Sequence, residues 1–571
     1  MTDLIKITDI EDYCKNKPDT HIFRNFETSE DDKKKYKEII NEMNLLDDLN
    51  KSNIKLLWKK FKGMPTKPRL METYLDMIEN DNFPISKKIE SYLISHQVRA
   101  KSGVSVCAVF LSPYPNGQKF SCRWNCHYFP NEPGQPRSYL FGEPGVLRAN
   151  QNNFDCIEQI YSRIRALRLC GHPSDKLEIL ILGGTIHSYP KDYLEDFMRD
   201  IFYAANTCIT KHSRSKSSLI DEQTINEASD HRIIGITIET RPDCITPKEL
   251  QDFRRWGVTR VQIGVQHTDD NLLKRVNRGH GLKHTMKACQ LLRDSCFKFD
   301  IHLMPNLPDS TPEKDIDMMN YVLENINPDQ VKMYPTTITP FTRILDDYKS
   351  GKYIPYNNEE LEKVIIYWLS NVHPWIRNNR IVRDIPNYYI VDGIKSSNQK
   401  QEFDQIMKEK GLKCKCIRSR ESGNFDEDPK NGELVVRTYD AHDGKEYFIS
   451  WESKDREVIF GFCRLRITKN QTIDIFPELE NCALIRELHV YGKTLKVNDS
   501  NLSDDIINDN ENFTVKPVQH IGIGKTLMNK AEEIAKENNF KKICVIAGIG
   551  TRNYYRKLGY DKIETFMIKN I

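Results

Sequence analysis

At 571 residues the chain is too long for one compact core, and its length alone suggests two to four domains. Its 84 basic and 81 acidic side chains leave a net charge of +3, so a nucleic-acid surface has to come from local clustering, not bulk charge. No apolar run reaches the roughly 20 residues that span a bilayer, and the start MTDLIKITDIEDY lacks a basic stretch followed by an apolar one, so the expected location is cytoplasmic, with no membrane partner.

Residues 1–95 are rich in Lys, Asn, Asp and Glu, and the spacing of Tyr36, Ile39, Ile40 and Met43 predicts a small helical region. Over 96–393, apolar strand-like runs alternate with amphipathic helical ones. Leu177 to Leu182, Ile233 to Ile238, Val258 to Val265 and Phe297 to Met304 are the expected strands. Tyr193 to Ala205, Thr246 to Trp256, Leu282 to Cys296 and Thr311 to Asn325 are the expected helices, several opened by Thr-Pro or another capping residue. Strand followed by helix implies a parallel sheet with crossover helices, closed as a full or partial barrel or left open; periodicity does not separate these. Residues 394–433 read as a polar linker. Tyr447 to Trp451 and Val458 to Leu465 begin a different, α+β pattern over 434–571, interrupted by an acidic, Asn-rich loop at Asp504 to Glu511.

The most informative local motif is Gln519-His520-Ile521-Gly522-Ile523-Gly524, which opens a helix with Leu527, Met528, Ala531, Ile534 and Ala535 on one face. Glycines allow close backbone approach, and free N–H groups at a helix start favour a pyrophosphate. The strand Ile485 to Tyr491 precedes it; the strand Ile543 to Ala547 and the run Asn553 to Tyr560 follow. This order resembles the GNAT N-acetyltransferase superfamily. That resemblance implies an acetyl-CoA site, with Glu487, Leu488, His489 and Val490 on the strand, and Ile523, Gly524 and Lys525 at the loop and helix start. Tyr555 would be the catalytic partner of the departing thiolate, a role that suits a phenol of ordinary pKa near 10.

A second motif is Ser121-Cys122-Arg123-Trp124-Asn125-Cys126-His127-Tyr128-Phe129-Pro130. It resembles the Cys-x3-Cys-x2-Cys loop of radical S-adenosylmethionine enzymes, in which three thiolates hold a [4Fe-4S] cluster and the fourth iron meets the cofactor. Cys122 and Cys126 match the first two positions, whereas the third is Phe129, which cannot ligate iron. Two readings follow: a labile cluster helped by Cys107 or His127, or a degenerate site that keeps the fold without the radical chemistry.

Further segments, Arg99 to Gly103, Pro130 to Tyr139, Glu143-Pro144, Asp175 to Glu178, Gly183 to Thr185, Ile238 to Asp243, Gln262 to Gln266, Met304 to Pro308 and Arg383 to Pro386, are similar to the family of the catalytic subunit of Elongator. The resemblance implies an acyltransferase that forms carboxymethyluridine at the wobble uridine of tRNA from acetyl-CoA and S-adenosylmethionine, with other Elongator subunits as candidate partners. Gly183 and Gly184 would meet the methionine end of S-adenosylmethionine, Glu239 and Gln266 would lie further along its groove, and Lys176 would be a second catalytic residue, touching acetyl-CoA from the barrel side. The alternatives are a protein N-acetyltransferase, or a tRNA binder with a degenerate barrel site. Lys274, Arg275, Arg278 and Lys283 belong to a basic run without a carboxylate and are the expected RNA contacts. Cys414 and Cys416 resemble part of a zinc-binding set in some relatives, with Ser419 where another cysteine is expected.

Overall fold

A computed structural model describes residues 29–94, 103–208, 214–393, 399–425, 427–469, 472–491 and 522–571. Arg99 to Ser102, the acidic loop Asp504 to Glu511 and the residues Gln519, His520 and Ile521 of the glycine motif lie outside the described residues.

Among the described residues the first sheet has seven strands, β1 (Ser105–Phe110), β2 (Lys176–Leu182), β3 (Arg232–Thr240), β4 (Val258–Gln266), β5 (Lys298–Leu303), β6 (Gln330–Met333) and β7 (Arg377–Arg380), arranged in sequence order. Every neighbouring pair is parallel. Parallel strands need crossover connections, and helices such as Lys191–Thr207, Pro247–Arg255 and Leu282–Asp294 supply them. Thr246 caps its helix by accepting from the N–H of Glu249, with Pro247 at the first position. Among the described residues β1 and β7 are edges, so this sheet is a partial barrel, the choice that periodicity left open. The predicted helix over 311–325 ends early, at Tyr321, and continues as a wider π turn, Val322–Ile326, closed by left-handed Asn327.

The second sheet comprises β8 (Glu433–Ala441), β9 (Gly444–Glu452), β10 (Ile459–Thr468), β11 (Cys482–Val490), β12 (Lys542–Val545), β13 (Asp561–Ile563) and β14 (Phe566–Asn570), in the order β13-β14-β12-β11-β10-β9-β8. It is mixed: β11 and β12 are parallel and the other pairs antiparallel. Pairing of β11 with β12 stops at Ile485 and Val545. From Arg486 to Val490, β11 therefore runs on without β12 beside it, leaving a wedge that becomes part of the site.

The two sheets share one apolar core: Cys482, Leu484, Cys544, Phe566 and Ile568 pack in the same cluster as Ile179, Val261 and Phe299. A buried seam of charges crosses the same junction. Arg486 of β11 makes two hydrogen bonds to Asp329, at 2.6 and 2.7 Å, and a third to Glu446 at 2.9 Å. Arg466 reaches Asp294 at 2.7 Å. Gly548 lies so close to β3 that a Cβ would sit 1.9 Å from the Ile234 carbonyl oxygen, so only glycine permits this approach. Within residues 394–433, the helix Gln399–Glu409 sends Phe403 and Met407 into the barrel core. The N-terminal helices Glu30–Leu45, Lys51–Lys60, Lys67–Asn80 and Lys87–Leu93 build their own small core, with Tyr36, Ile39, Ile40 and Met43 all buried as their spacing predicts.

Candidate active site at the junction of the two halves

The cysteine loop closes over the C-terminal ends of the barrel strands, the face on which barrels of this kind carry their chemistry. Gly183 and Gly184 follow β2 with φ of 144° and 91°, conformations that suit glycine. Glu239 and Arg241 come from the end of β3, Gln266 from the end of β4 and His302 from β5. With Cys122, Cys126 and Phe129, most of these line a chamber of about 130 Å³. Cys126 is buried, and its Sγ lies 3.6 Å from Arg278 Nη1 and 3.9 Å from Arg241 Nη1. Cys122 is half-buried, with its Sγ 3.8 Å from the Thr185 hydroxyl. The Arg278 guanidinium sits 5.9 Å from the centre of the Phe129 ring. His302 is half-buried, with its Nε2 enclosed and lacking a hydrogen-bond partner; burial, reinforced by Lys332, Arg278 and Arg383, holds its pKa well below the ordinary value, so the imidazole is neutral.

A second cavity, of about 680 Å³, lies between the barrel and β11 and falls within the ~300–1,000 Å³ of ordinary ligand pockets. Glu487, Leu488, His489 and Tyr555 line it from the C-terminal side, facing Glu178, Lys298, Lys332 and Arg377 of the barrel. Burial opposes a charge on Glu487, but Lys298 and Arg464 outweigh it and keep the carboxyl below its usual range. His489 is held neutral by burial, and its Nε2 is enclosed without a partner. Burial pushes the Tyr555 phenol up, so it keeps its proton. Its neighbour Tyr554 is 41% exposed and does not line the cavity. The helix Ile523–Glu537 starts behind left-handed Gly522, with Gly524 half-buried and Lys525 exposed; a Cβ on Gly524 would touch Val490 at 3.6 Å, which joins the helix start to the end of β11.

Tyr139, Glu239, Gln262 and Arg383 line both cavities. Tyr139 donates to Glu239 at 2.7 Å, and Lys332 donates to Gln262 at 2.6 Å while standing 3.8 Å from Glu239. The chambers thus abut across one polar wall.

Other expected site residues fall differently. Lys176 shares a strand face with Glu178, Leu180 and Leu182, which line the larger cavity, but it stands one pleat earlier and does not line it; burial lowers its pKa. Arg278, expected on an RNA surface, is 2% exposed and belongs to the cysteine chamber, so it is withdrawn from phosphate contact. Arg275 pairs with Asp309 at 3.1 Å and Asp347 at 3.0 Å, carboxylates from distant segments that the local run did not show. Lys274 and Lys283 remain exposed, and Lys287, four residues on along the same helix as Lys283, is exposed too. At Cys416 the Ser419 hydroxyl stands 3.3 Å from the sulfur, and no metal-binding set of three His, Cys, Asp or Glu occurs among the described residues. Sequence reasoning missed Arg260, Lys298, Lys332 and Arg377 as lining residues. For Arg260 and Lys332 the signal was a charge inside a largely apolar strand; Arg260 reaches Thr237 at 2.9 Å and pairs with Glu178, whereas Arg377 sits in a polar strand that carries no such signal.

Residues 157–319 match the radical SAM superfamily, 328–410 the radical SAM C-terminal domain, and 416–560 the acetyltransferase (GNAT) family. The tRNA uridine(34) acetyltransferase of Methanocaldococcus infernus is 38% identical over 490 residues, covering 83% of this chain and 87% of that protein. Human Elongator complex protein 3 is 34% identical over 535 residues, 91% of this chain and 93% of that one. The solved structure of archaeal Methanocaldococcus infernus Elp3 with an N-terminal deletion superposes with a TM-score of 0.68 at 36% identity, covering 82% of this chain and all of that one.

These domains imply S-adenosylmethionine and a [4Fe-4S] cluster in the barrel and acetyl-CoA in the C-terminal half. The larger cavity fits acetyl-CoA in size and in the stretch of β11 that, among the described residues, runs on beyond its pairing with β12. The cysteine chamber does not fit a cluster held by three thiolates: it offers two sulfurs and the ring of Phe129. Domain order and similarity over most of its length nonetheless agree, and the chain belongs to the family of the tRNA uridine(34) acetyltransferases and Elongator complex protein 3.

Proposed function

We propose that this chain modifies the wobble uridine of tRNA, binding acetyl-CoA in the cavity between its halves and S-adenosylmethionine at the barrel, in the cytoplasm and in company with further Elongator-type subunits. The single observation that carries the reading is the shared wall of Tyr139, Glu239, Gln262 and Arg383: an acetyl group held beside β11 is one polar layer away from the barrel chamber. In this reading Glu487 to Val490 pair with the pantetheine arm, and Ile523, Gly524 and Lys525 hold the pyrophosphate. Tyr555, protonated at neutral pH, donates a hydrogen bond to the sulfur of the departing thiol. His489, neutral and lining the cavity, accepts a proton or a hydrogen bond beside the acetyl group. Gly183, Gly184, Glu239 and Gln266 form the groove for S-adenosylmethionine. Lys274, Lys283 and Lys287 take RNA phosphates.

Phe129 favours a second reading, in which tRNA and acetyl-CoA are bound and turned over without radical chemistry. Both readings require tRNA to govern acetyl-CoA turnover. Measured with and without tRNA, the rate of CoA release rises in its presence; a rate indifferent to tRNA removes RNA as the substrate and points to a protein or small-amine acceptor.

A further inference from the structure

We infer that residue 129 alone decides whether this barrel holds an iron-sulfur cluster, and that the chain as it stands leaves that place unfilled. The inference concerns ligand count and stands whether or not tRNA proves to be the substrate. Three thiolates are needed to fix three corners of a [4Fe-4S] cluster and leave the fourth iron open. The chamber offers Cys122 and Cys126. Phe129 lines the same chamber from the place expected for the third thiolate, and a phenyl ring has no lone pair to give iron.

Among the described residues no further thiol or imidazole from the expected set lines the chamber. Cys107 is wholly buried on β1, in register with Ile179, within the apolar core. Neither His127 nor Cys244, on the turn after β3, lines the chamber. Among the described residues no set of three His, Cys, Asp or Glu is placed to hold a metal ion.

Everything else suits an anionic occupant. Arg137, Arg241, Arg278 and Arg383 line the chamber with Glu239; Arg241 is paired with Asp243 at 2.9 Å and Arg383 with Glu143 at 2.6 Å, so Arg137 and Arg278 supply the positive charge that is not bound to a carboxylate. A [4Fe-4S]2+ core bound by three thiolates carries one net negative charge, so these arginines match it. Arg278 and Arg241 already direct N–H groups at the Cys126 sulfur, contacts that a metal-bound thiolate also accepts. The charge, the two sulfurs and the glycine turn are present; what is lacking is one thiolate.

The test is anaerobic reconstitution of the full chain with ferrous iron and sulfide, followed by iron and sulfide counts, visible absorption and electron paramagnetic resonance of the reduced sample. Phe129→Cys is expected to take up on the order of four irons per chain with a cluster absorption band, roughly fourfold or more above the parent chain. Phe129→Ala opens the same space without a thiol and is expected to stay as empty as the parent. A parent chain that fills to the level of Phe129→Cys overturns the inference. So does a Phe129→Cys chain that remains empty, or a Phe129→Ala chain that fills equally, because space and not the thiolate would then be limiting.

Discussion

Replacing Asp329 with Asn tests what holds β11 against the barrel. Asp329 precedes β6, is fully buried, accepts two hydrogen bonds from Arg486 and a third from the Phe299 N–H at 3.0 Å, and stands 3.7 Å from Arg464. The amide keeps the shape and removes the charge, leaving Arg486 enclosed with Glu446 as its remaining anion, which Arg466 also uses at 3.3 Å. Breaking a buried pair from one side costs about 3–5 kcal/mol, because the remaining charge stays desolvated. That is a large share of the ~5–15 kcal/mol that stabilises a domain. Urea unfolding should show this loss. Acetyl-CoA affinity should fall with it, since Arg486 is next to Glu487 on β11. The double variant Asp329→Asn with Arg486→Met should cost less than the sum of the single changes, as both halves of the pair are then gone. A loss below about 1 kcal/mol in the single variant, or a double variant at least as costly as that sum, would refute the reasoning. The pH sense follows from the same contacts. Burial alone would raise the Asp329 pKa, but Arg486 and Arg464 outweigh it and set it below the unfolded value near 3.9. The contribution is therefore complete above that unfolded value and is lost as pH falls through it towards the folded one.

Two further outcomes bear on the site. Tyr555→Phe keeps the buried ring and removes the hydroxyl, so kcat for CoA release should fall by about 10²-fold with little change in the KM for acetyl-CoA; an unaffected kcat assigns the phenol to packing alone. Replacing Lys274, Lys283 and Lys287 with Ala should flatten the dependence of log Kd for tRNA on log salt by about 2–3 units, whereas the unaltered slope expected from Arg278→Lys separates the exposed cations from the buried one.

Much of this arrangement is legible along the chain because the controlling interactions are local. The alternation in Lys176–Leu182, the Thr-Pro caps at Thr246 and Thr311, and the spacing of Tyr36, Ile39, Ile40 and Met43 each fix an element through neighbours a few residues away. The glycine motif and the cysteine loop are short runs, so the resemblance to the two families, with the cofactor classes it implies and the departure at Phe129, is legible in residue order. Short polar strands such as Arg377–Arg380 escape that reading, as they are strands only because β6 lies beside them.

Only the tertiary structure decided which charges face water and which cavities meet. Arg275 and Arg278 share one basic run, yet one pairs with Asp309 and Asp347 from other segments and the other enters the cysteine chamber. Lys176 and Glu178 share one strand face, yet the cavity begins at Glu178. The partial barrel, the wedge left where β11 outruns β12, and the wall of Tyr139, Glu239, Gln262 and Arg383 all join residues tens to hundreds of positions apart. Sequence sets what each residue can donate, accept or ligate; burial and long-range pairing set whether water, an opposite charge or a ligand is there to meet it.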